Sequence, residues 1–214
     1  MSINFDFTAP KDHKLYRILR PLAVLVNQIC HPTKYIGKEN IPKEGGYILC
    51  CNHQSNFDPV VLGSGVKRPI HYMGKEELFE GKALGWFLTN LNAFPVIRGK
   101  GDMRAVEYAE KVIKKGYILG IFPEGTRSKE YKPMRGKAGA ALIAKQTGAD
   151  ILPVSIYTED QYKNGTRLTV RFGKLIKNEE LGFTPEGKSR ELKDATHRIM
   201  GDITALWEAG HCKK

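Results

Sequence analysis

His53 and Asp58 stand five positions apart in Asn52-His53-Gln54-Ser55-Asn56-Phe57-Asp58, directly after the apolar run Tyr47-Ile48-Leu49-Cys50-Cys51. An imidazole at the end of a strand, with a carboxylate a short loop away, makes a general base. The carboxylate grips one ring nitrogen and the other faces the substrate. Spacing alone does not carry this reading, because His197 and Asp202 repeat it. That second pair falls in a helical pattern, where five residues turn through roughly 500° and leave the side chains about 140° apart. It also lacks a preceding strand, and it is read as a coincidence. Cys51, two positions before His53, offers a thiol nucleophile. Its place in an apolar run suits a small core residue better.

Three further segments add chemistry. Phe94-Pro95-Val96-Ile97-Arg98-Gly99 ends an apolar run on an arginine. Phe122-Pro123-Glu124-Gly125-Thr126-Arg127-Ser128 ends another on a carboxylate, a glycine and a second arginine. Ile151-Leu152-Pro153-Val154 places a proline inside an apolar run. Ligands of α/β sheets bind in the crevice outside the carboxyl ends of the strands, and the His53, Arg98 and Glu124 segments all fall at such ends. Two arginines clamp a phosphate with forked hydrogen bonds. A glycine lets backbone amides come close to an anion, and a glutamate accepts a hydrogen bond from a substrate hydroxyl. Taken singly, each has a plainer meaning: a solvated arginine, a Glu-Gly turn, a proline at a strand edge or bulge. Taken together they form an acyl-transfer set, in which a base unmasks a hydroxyl beside an anion-binding pocket. There is no G-x-S-x-G elbow for a serine acyl-enzyme. No cluster has metal-ligand spacing, so no metal is expected.

These four blocks, in this order, resemble those of the glycerolipid acyltransferase family, and the likeness runs from about Lys34 to Phe172. The resemblance implies an α/β fold, an acyl thioester donor and a glycerol-phosphate-type acceptor. It implies that His53 and Asp58 are catalytic. It also implies that Arg98, Glu124, Gly125, Thr126 and Arg127 bind the acceptor, and that Pro153 contacts the donor or its acyl chain. The donor would be acyl-CoA or acyl carrier protein (acyl-ACP), with no bound cofactor. The implied reaction acylates the free hydroxyl of 1-acyl-sn-glycerol 3-phosphate, a lysophosphatidate, to give phosphatidic acid in phospholipid biosynthesis. Glycerol 3-phosphate or another lysophospholipid is the alternative acceptor, and a non-catalytic binder of anionic lipid surfaces is the alternative of a different class. On this scheme His53 takes the hydroxyl proton while Asp58 holds its tautomer. Amides of the Gln54–Asn56 loop, or of the helix after it, are the candidate oxyanion donors.

The elements that must position these residues follow from hydrophobic pattern. Strands are expected at Tyr47–Cys51, Ile70–Met73, Ala93–Ile97, Tyr117–Phe122, Ile151–Ile156 and Leu168–Phe172. Helices are expected at Pro59–Val66, Lys82–Leu91, Met103–Lys115, Lys137–Thr147 and Pro185–Ala209. Alternation at this spacing, with strands apolar on both faces, predicts an α/β domain with a largely parallel sheet covered by helices on both faces. Ahead of it, residues 1–11 read as a polar arm. Leu15, Ile18, Leu19, Leu22, Leu25, Val26 and Ile29 then recur at helical spacing, with Lys14, Arg17 and Arg20 toward the other side. Pro21 should kink or divide this helix. Such an amphipathic helix suits docking on an anionic membrane surface. The expected organisation is therefore an arm and docking helix over 1–33 and an acyltransferase domain over 34–214.

Composition bounds the partners. The chain has 214 residues, 41% of them hydrophobic, enough for one sizeable core, and a net charge of +11 that favours an anionic partner. Nucleic acid is not expected, because basic residues are not interleaved with stacking aromatics and no binding motif is present. The basic stretch Arg127, Lys129, Lys132, Arg135, Lys137 suits donor phosphates or a lipid surface. Cys30, Cys50, Cys51 and Cys212 show no disulfide or zinc spacing. With no secretory pattern, and no run near the ~20 apolar residues of a membrane span, the expectation is a cytoplasmic protein held peripherally on the inner face of the cytoplasmic membrane.

Overall fold

Tyr47-Ile48-Leu49-Cys50-Cys51 has no polar position, and it forms a fully buried strand in the interior of a seven-stranded sheet. The structure, a computed structural model, describes residues 5–97, 101–185, 187 and 189–211. In chain order the elements are α1 (Lys14–Cys30), β1 (Thr33–Ile36), β2 (Tyr47–Cys51), α2 (Asp58–Gly65), β3 (Ile70–Lys75), α3 (Lys82–Asn90), β4 (Ala93–Val96), α4 (Met103–Lys114), β5 (Ile118–Ile121), α5 (Gly139–Thr147), β6 (Ile151–Tyr157), β7 (Leu168–Phe172) and α6 (Ser189–Glu208). The sheet order is β1-β7-β6-β2-β5-β3-β4, parallel throughout except between β6 and β7.

The period of two along each strand divides the core. Ile48, Cys50, Leu119, Ile121 and Ile151 face α4, α5 and α6. Leu49, Cys51, Ile118, Leu152 and Val154 face Val61 and Leu62 of α2. The expected largely parallel α/β domain is the fold observed. β1 was not among the expected strands: its four residues, Thr33-Lys34-Tyr35-Ile36, are too few and too mixed to show a pattern, and it exists by pairing with β7. β6 is an interior strand in spite of Pro153. Its register with β7 starts at Val154, so Pro153 stands just where that ladder stops.

α1 departs from expectation in three ways. It runs unbroken through Pro21, which is exposed and does not divide it. Arg20 is not on a free basic flank: its guanidinium donates to the carbonyls of Gly63, Ser64 and Val66 at the end of α2. The buried residue of α1 is polar, Asn27, whose amide donates to Thr33 Oγ1 and Tyr35 Oη. The apolar row points outward, with Ile18 70%, Leu22 57% and Ile29 68% exposed. Close packing beneath α1 depends on small residues in α2. A Cβ on Gly63 would stand 3.0 Å from the Tyr16 hydroxyl, and one on Gly65 2.5 Å from the Tyr35 ring.

The arm is not purely polar either. Phe5 and Phe7 lie edge-on to Tyr108 of α4, with ring centroids 5.3 and 5.8 Å away, and anchor the start of the chain on the core.

Candidate active site

β2 and β5 are neighbours, so the loops leaving their carboxyl ends emerge side by side. The β2 loop carries His53 and the β5 loop carries Glu124. The main chain joins them: His53 N–H donates to Glu124 Oε1 at 3.2 Å, and the Ser128 N–H donates to the His53 carbonyl at 2.8 Å. Asn52 closes the other side, exchanging two hydrogen bonds with the backbone of Ile156 at the end of β6, at 2.8 and 3.0 Å.

Asp58 opens α2 with Pro59 behind it, where proline is tolerated because its missing N–H is not needed in the first turn. The helix start turns the carboxylate back on the loop. His53 Nδ1 is 2.7 Å from Asp58 Oδ2. The same oxygen accepts the N–H groups of Gln54 at 2.7 Å and Ser55 at 2.8 Å. Oδ1 accepts the Tyr162 hydroxyl at 2.5 Å. Asp58 is fully buried, and these donors satisfy both of its carboxylate oxygens. The His53 ring also stacks on Phe122, centroids 4.1 Å apart and planes 17° from parallel. With Nδ1–H held by the carboxylate, Nε2 is left without a protein partner among the described residues, on a side chain that is still partly exposed.

Two of the expected oxyanion donors are already occupied, because Gln54 N–H and Ser55 N–H serve Asp58. Phe57 N–H donates to Ser55 Oγ. Among the described residues, the Asn56 N–H is the amide of that loop with no protein acceptor.

Glu124 is buried. Burial first, and the charge of Asp58 in the same direction, push its carboxyl up to about 7, against the N–H groups of His53 and Met134, which pull it down. Its Oε2 is buried with no hydrogen bond of good geometry. Gly125 takes φ +70°, and its N–H closes a turn on the Phe122 carbonyl at 3.0 Å. The missing side chain leaves room for Lys137, whose Nζ lies 3.1 Å from where a Cβ would stand. Thr126 and Arg127 are exposed on the same loop, next to the Ser128 that is bonded to His53. Among the described residues, none of Arg127, Lys129, Lys132, Arg135 and Lys137 forms an ion pair, and all five are exposed.

The structure therefore brings His53, Asp58, Glu124, Gly125 and the Thr126-Arg127 segment to one rim. Arg98 lies outside the described residues. β4, which ends at Val96, is the sheet edge, with β3 between it and β5. Pro153 is not at this rim. It sits mid-strand opposite Cys50 and lines an open groove of about 660 Å³ beneath α6, together with Arg171, Gly173, Lys174 and Leu206, and none of the rim residues lines that groove. His197 and Asp202 are apart on α6, where Asp202 pairs with Arg198 Nε at 3.2 Å instead. Burial, with the charges of Asp58 and Glu124, raises the Cys51 thiol well above its ordinary value, so Cys51 is a core residue and not a thiolate. Among the described residues no group of three or more His, Cys, Asp and Glu is arranged to hold a metal ion. Sequence reasoning missed Asn52 as a brace and Tyr162 as a partner of Asp58. Nothing in the local pattern of Glu159-Asp160-Gln161-Tyr162-Lys163 marks the second link.

Comparison with known proteins gives a concordant result. Residues 32–157 match the family model for acyltransferases. A 1-acyl-sn-glycerol-3-phosphate acyltransferase of Bacillus subtilis (strain 168) is 32% identical over 179 residues, covering 78% of this chain and 89% of the relative. One of Streptococcus pneumoniae (strain ATCC BAA-255 / R6) is 33% identical over 212 residues, covering 94% of this chain and 76% of the relative. The fold is shared with the crystal structure of the 1-acyl-sn-glycerophosphate (LPA) acyltransferase, PlsC, from Thermotoga maritima, with a TM-score of 0.71 at 24% identity over 97% of this chain and 87% of that one. On this evidence the chain belongs to the acyltransferase family.

Proposed function

We propose that the protein transfers a fatty acyl group from an acyl thioester to the free hydroxyl of 1-acyl-sn-glycerol 3-phosphate, giving phosphatidic acid. The observation that carries this reading is the His53–Asp58 pair, held at 2.7 Å with Nε2 left for a substrate. The pair lies against a Glu124-Gly125 turn and a run of exposed cations that form no ion pair among the described residues. His53 Nε2 takes the hydroxyl proton as the oxygen attacks the thioester carbonyl. Asp58 keeps the ring in the required tautomer and stabilises the imidazolium. The tetrahedral oxyanion draws on a free N–H, of which Asn56 is the candidate in the β2 loop. Collapse breaks the carbon–sulfur bond, and the departing thiolate takes the proton from the imidazolium. Arg98 and Arg127 are the proposed clamp for the acceptor phosphate, with Glu124, Gly125 and Thr126 shaping its glycerol end. Pro153 stays a proposed contact of the donor's acyl chain through the groove it lines.

The surface supports a membrane-bound acceptor. No helix among the described residues is long and apolar enough to cross a membrane. α1 nevertheless turns Ile18, Leu22, Leu25 and Ile29 outward, and it packs beside α3, which exposes Leu84, Trp86 and Phe87. Exposed Lys14 and Arg17 border this ridge. An apolar ridge with cations at its edge lies on an anionic leaflet, the apolar side chains in the acyl boundary and the ammonium groups among the phosphates. The reading places the protein peripherally on the inner face of the cytoplasmic membrane.

The test is a purified assay offering 1-acyl-sn-glycerol 3-phosphate, glycerol 3-phosphate and other lysophospholipids, each with acyl-CoA and with acyl-ACP, for the parent protein and for His53→Ala. Turnover of the first acceptor that disappears in a folded His53→Ala supports the reading. Absence of turnover with every pair, or activity retained in the variant, sinks it.

A further inference from the structure

We infer that Tyr162 is the third member of the catalytic relay, a positioning residue that sets the orientation and basicity of Asp58 and, through it, of His53. The inference rests on the proposal that His53 is the general base.

The two carboxylate oxygens of Asp58 are held unequally. Oδ2 has three donors: His53 Nδ1, Gln54 N–H and Ser55 N–H. Oδ1 has one among the described residues, the Tyr162 hydroxyl at 2.5 Å. Because Asp58 is fully buried, no water stands in for that donor. A phenol to carboxylate bond of this length is of the strong, charge-assisted kind. It draws negative charge toward Oδ1, and so away from the oxygen that faces the imidazole.

The chain goes out of its way to deliver this phenol. Tyr162 lies on the 158–167 connection between β6 and β7, more than a hundred positions after Asp58. Gln161 and Tyr162 take φ of +54° and +62°, the left-handed region that residues with a Cβ avoid. Strained backbone of this kind persists where surrounding contacts hold it, and functional sites are where it collects. Here three contacts hold it. Gly165 N–H is tied to the Cys30 carbonyl at the end of α1, at 2.6 Å. The Tyr162 ring lies edge-on to His31, 5.1 Å between centroids, and His31 lies edge-on to Phe57, the residue before Asp58, at 5.4 Å. The phenol is therefore braced from α1, from α2 and from its own loop.

Other titratable groups face the pair. Glu124 reaches it from the β5 loop through the His53 amide. Cys51 lies at the end of β2, Tyr72 on β3 and Tyr35 on β1, all feeling or being felt by Asp58 or Tyr162. His31 packs on the Tyr162 ring, and Lys137 lies across Gly125 on the rim. Burial and the Asp58 charge push the Tyr162 phenol well above its ordinary value, so it stays protonated and acts only as a donor.

Removing the hydroxyl leaves Oδ1 bare. The carboxylate then becomes more basic, pulls harder on Nδ1–H and favours the imidazolium. It is also free to rotate away from the ring. The expected result for Tyr162→Phe is a kcat lower by about tenfold on the pH plateau, of the order of one lost hydrogen bond to a charged group. KM for the acceptor stays within about twofold, because the phenol lies behind Asp58 and does not touch substrate. The acid limb of the pH–rate profile moves up by roughly half to one unit, since the base must now lose its proton at higher pH. A second variant guards against a folding defect. With 3-fluorotyrosine placed at position 162, shape is kept and the donor is stronger, so the acid limb moves down. A folded Tyr162→Phe with unchanged kcat and unchanged acid limb overturns the inference, as does a rise in KM at constant kcat. So does a fluorotyrosine protein whose limb does not move. His53→Ala, run alongside, separates the failures. If it is dead while the Tyr162 variants behave as parent, only the role of Tyr162 falls. If it stays active, the role of His53 as base falls and that of Tyr162 with it.

Discussion

The backbone N–H of His53 donates to Glu124 Oε1 at 3.2 Å, so the base of β2 and the carboxylate of β5 share one hydrogen bond that does not involve the imidazole. The coupling holds the two loops in register whatever the protonation state of the ring. It also places Glu124 where desolvation acts on it, with its carboxyl raised to about 7.

Glu124 makes stability depend on pH. Its carboxyl binds a proton more tightly folded, at about 7, than unfolded, at its ordinary 4.5. The folded state therefore loses ground as pH rises from 4.5 to 7, and the loss is complete above 7. Glu124→Gln removes this term. Relative to the parent, the variant should be close to neutral at pH 4.5 and gain stability on the order of 1–3 kcal/mol by pH 8. Urea denaturation at several pH values measures it. A stability difference independent of pH contradicts the burial of this carboxyl.

Asp58→Asn should leave a folded protein that turns over ~10²–10⁴ times more slowly, because the amide no longer holds the His53 tautomer that leaves Nε2 free. Steady-state kinetics with folding checked by circular dichroism decide the point. A variant within about threefold of parent would mean that the 2.7 Å contact is structural only.

Leu22→Asp and Ile29→Asp, made together, should abolish binding to anionic vesicles and leave the melting temperature nearly unchanged. Both side chains are already in water, 57% and 68% exposed, and surface changes of this kind stay within about 0.5 kcal/mol. Co-sedimentation with phosphatidylglycerol vesicles reads the first effect and calorimetry the second. A large fall in melting temperature would mean that the row packs on protein.

Arg20→Ala and Arg17→Ala should separate two cations three positions apart. Arg20 donates to three carbonyls at the end of α2, and its loss leaves them without this donor, at about 1.5–3 kcal/mol. Arg17 pairs with Asp12 on an exposed side chain, worth at most about 1 kcal/mol. Equal destabilisation of the two variants would refute the seat of α1 on α2.

Gly125→Ala should destabilise by about 1–2 kcal/mol, since φ +70° is unfavourable for an L side chain. It should also push aside Lys137, whose Nζ stands 3.1 Å from the new Cβ. An unchanged denaturation midpoint would contradict the left-handed turn.

Much of the site was legible in local pattern. β2 and β5 are uninterrupted apolar runs, and their polar ends carry His53 and Glu124, because a strand buried on both faces must stop where its residues become polar. The Asp58-Pro59 start of α2 was legible for a similar reason, since proline belongs in a first turn. β1 was not: Thr33-Lys34-Tyr35-Ile36 has no preference strong enough to show, and only the β7 edge makes it a strand. α1 was half legible. Its period of apolar residues foretold a helix, but a period says that two faces differ and not which one the protein will cover.

The amino-acid sequence by itself determined the elements, the residues able to take a proton or hold a phosphate, and the strand ends that carry them, because those depend on neighbours within a turn or two of chain. The tertiary structure alone decided that Asn27 is buried while Ile29 is exposed, that Asn52 is braced on Ile156, and that Tyr162 completes the Asp58 carboxylate from the connection after β6. The last two join residues brought together by a strand order in which β6 lies beside β2. Such an order arises from the packing of the whole domain and leaves no mark on any short stretch of chain.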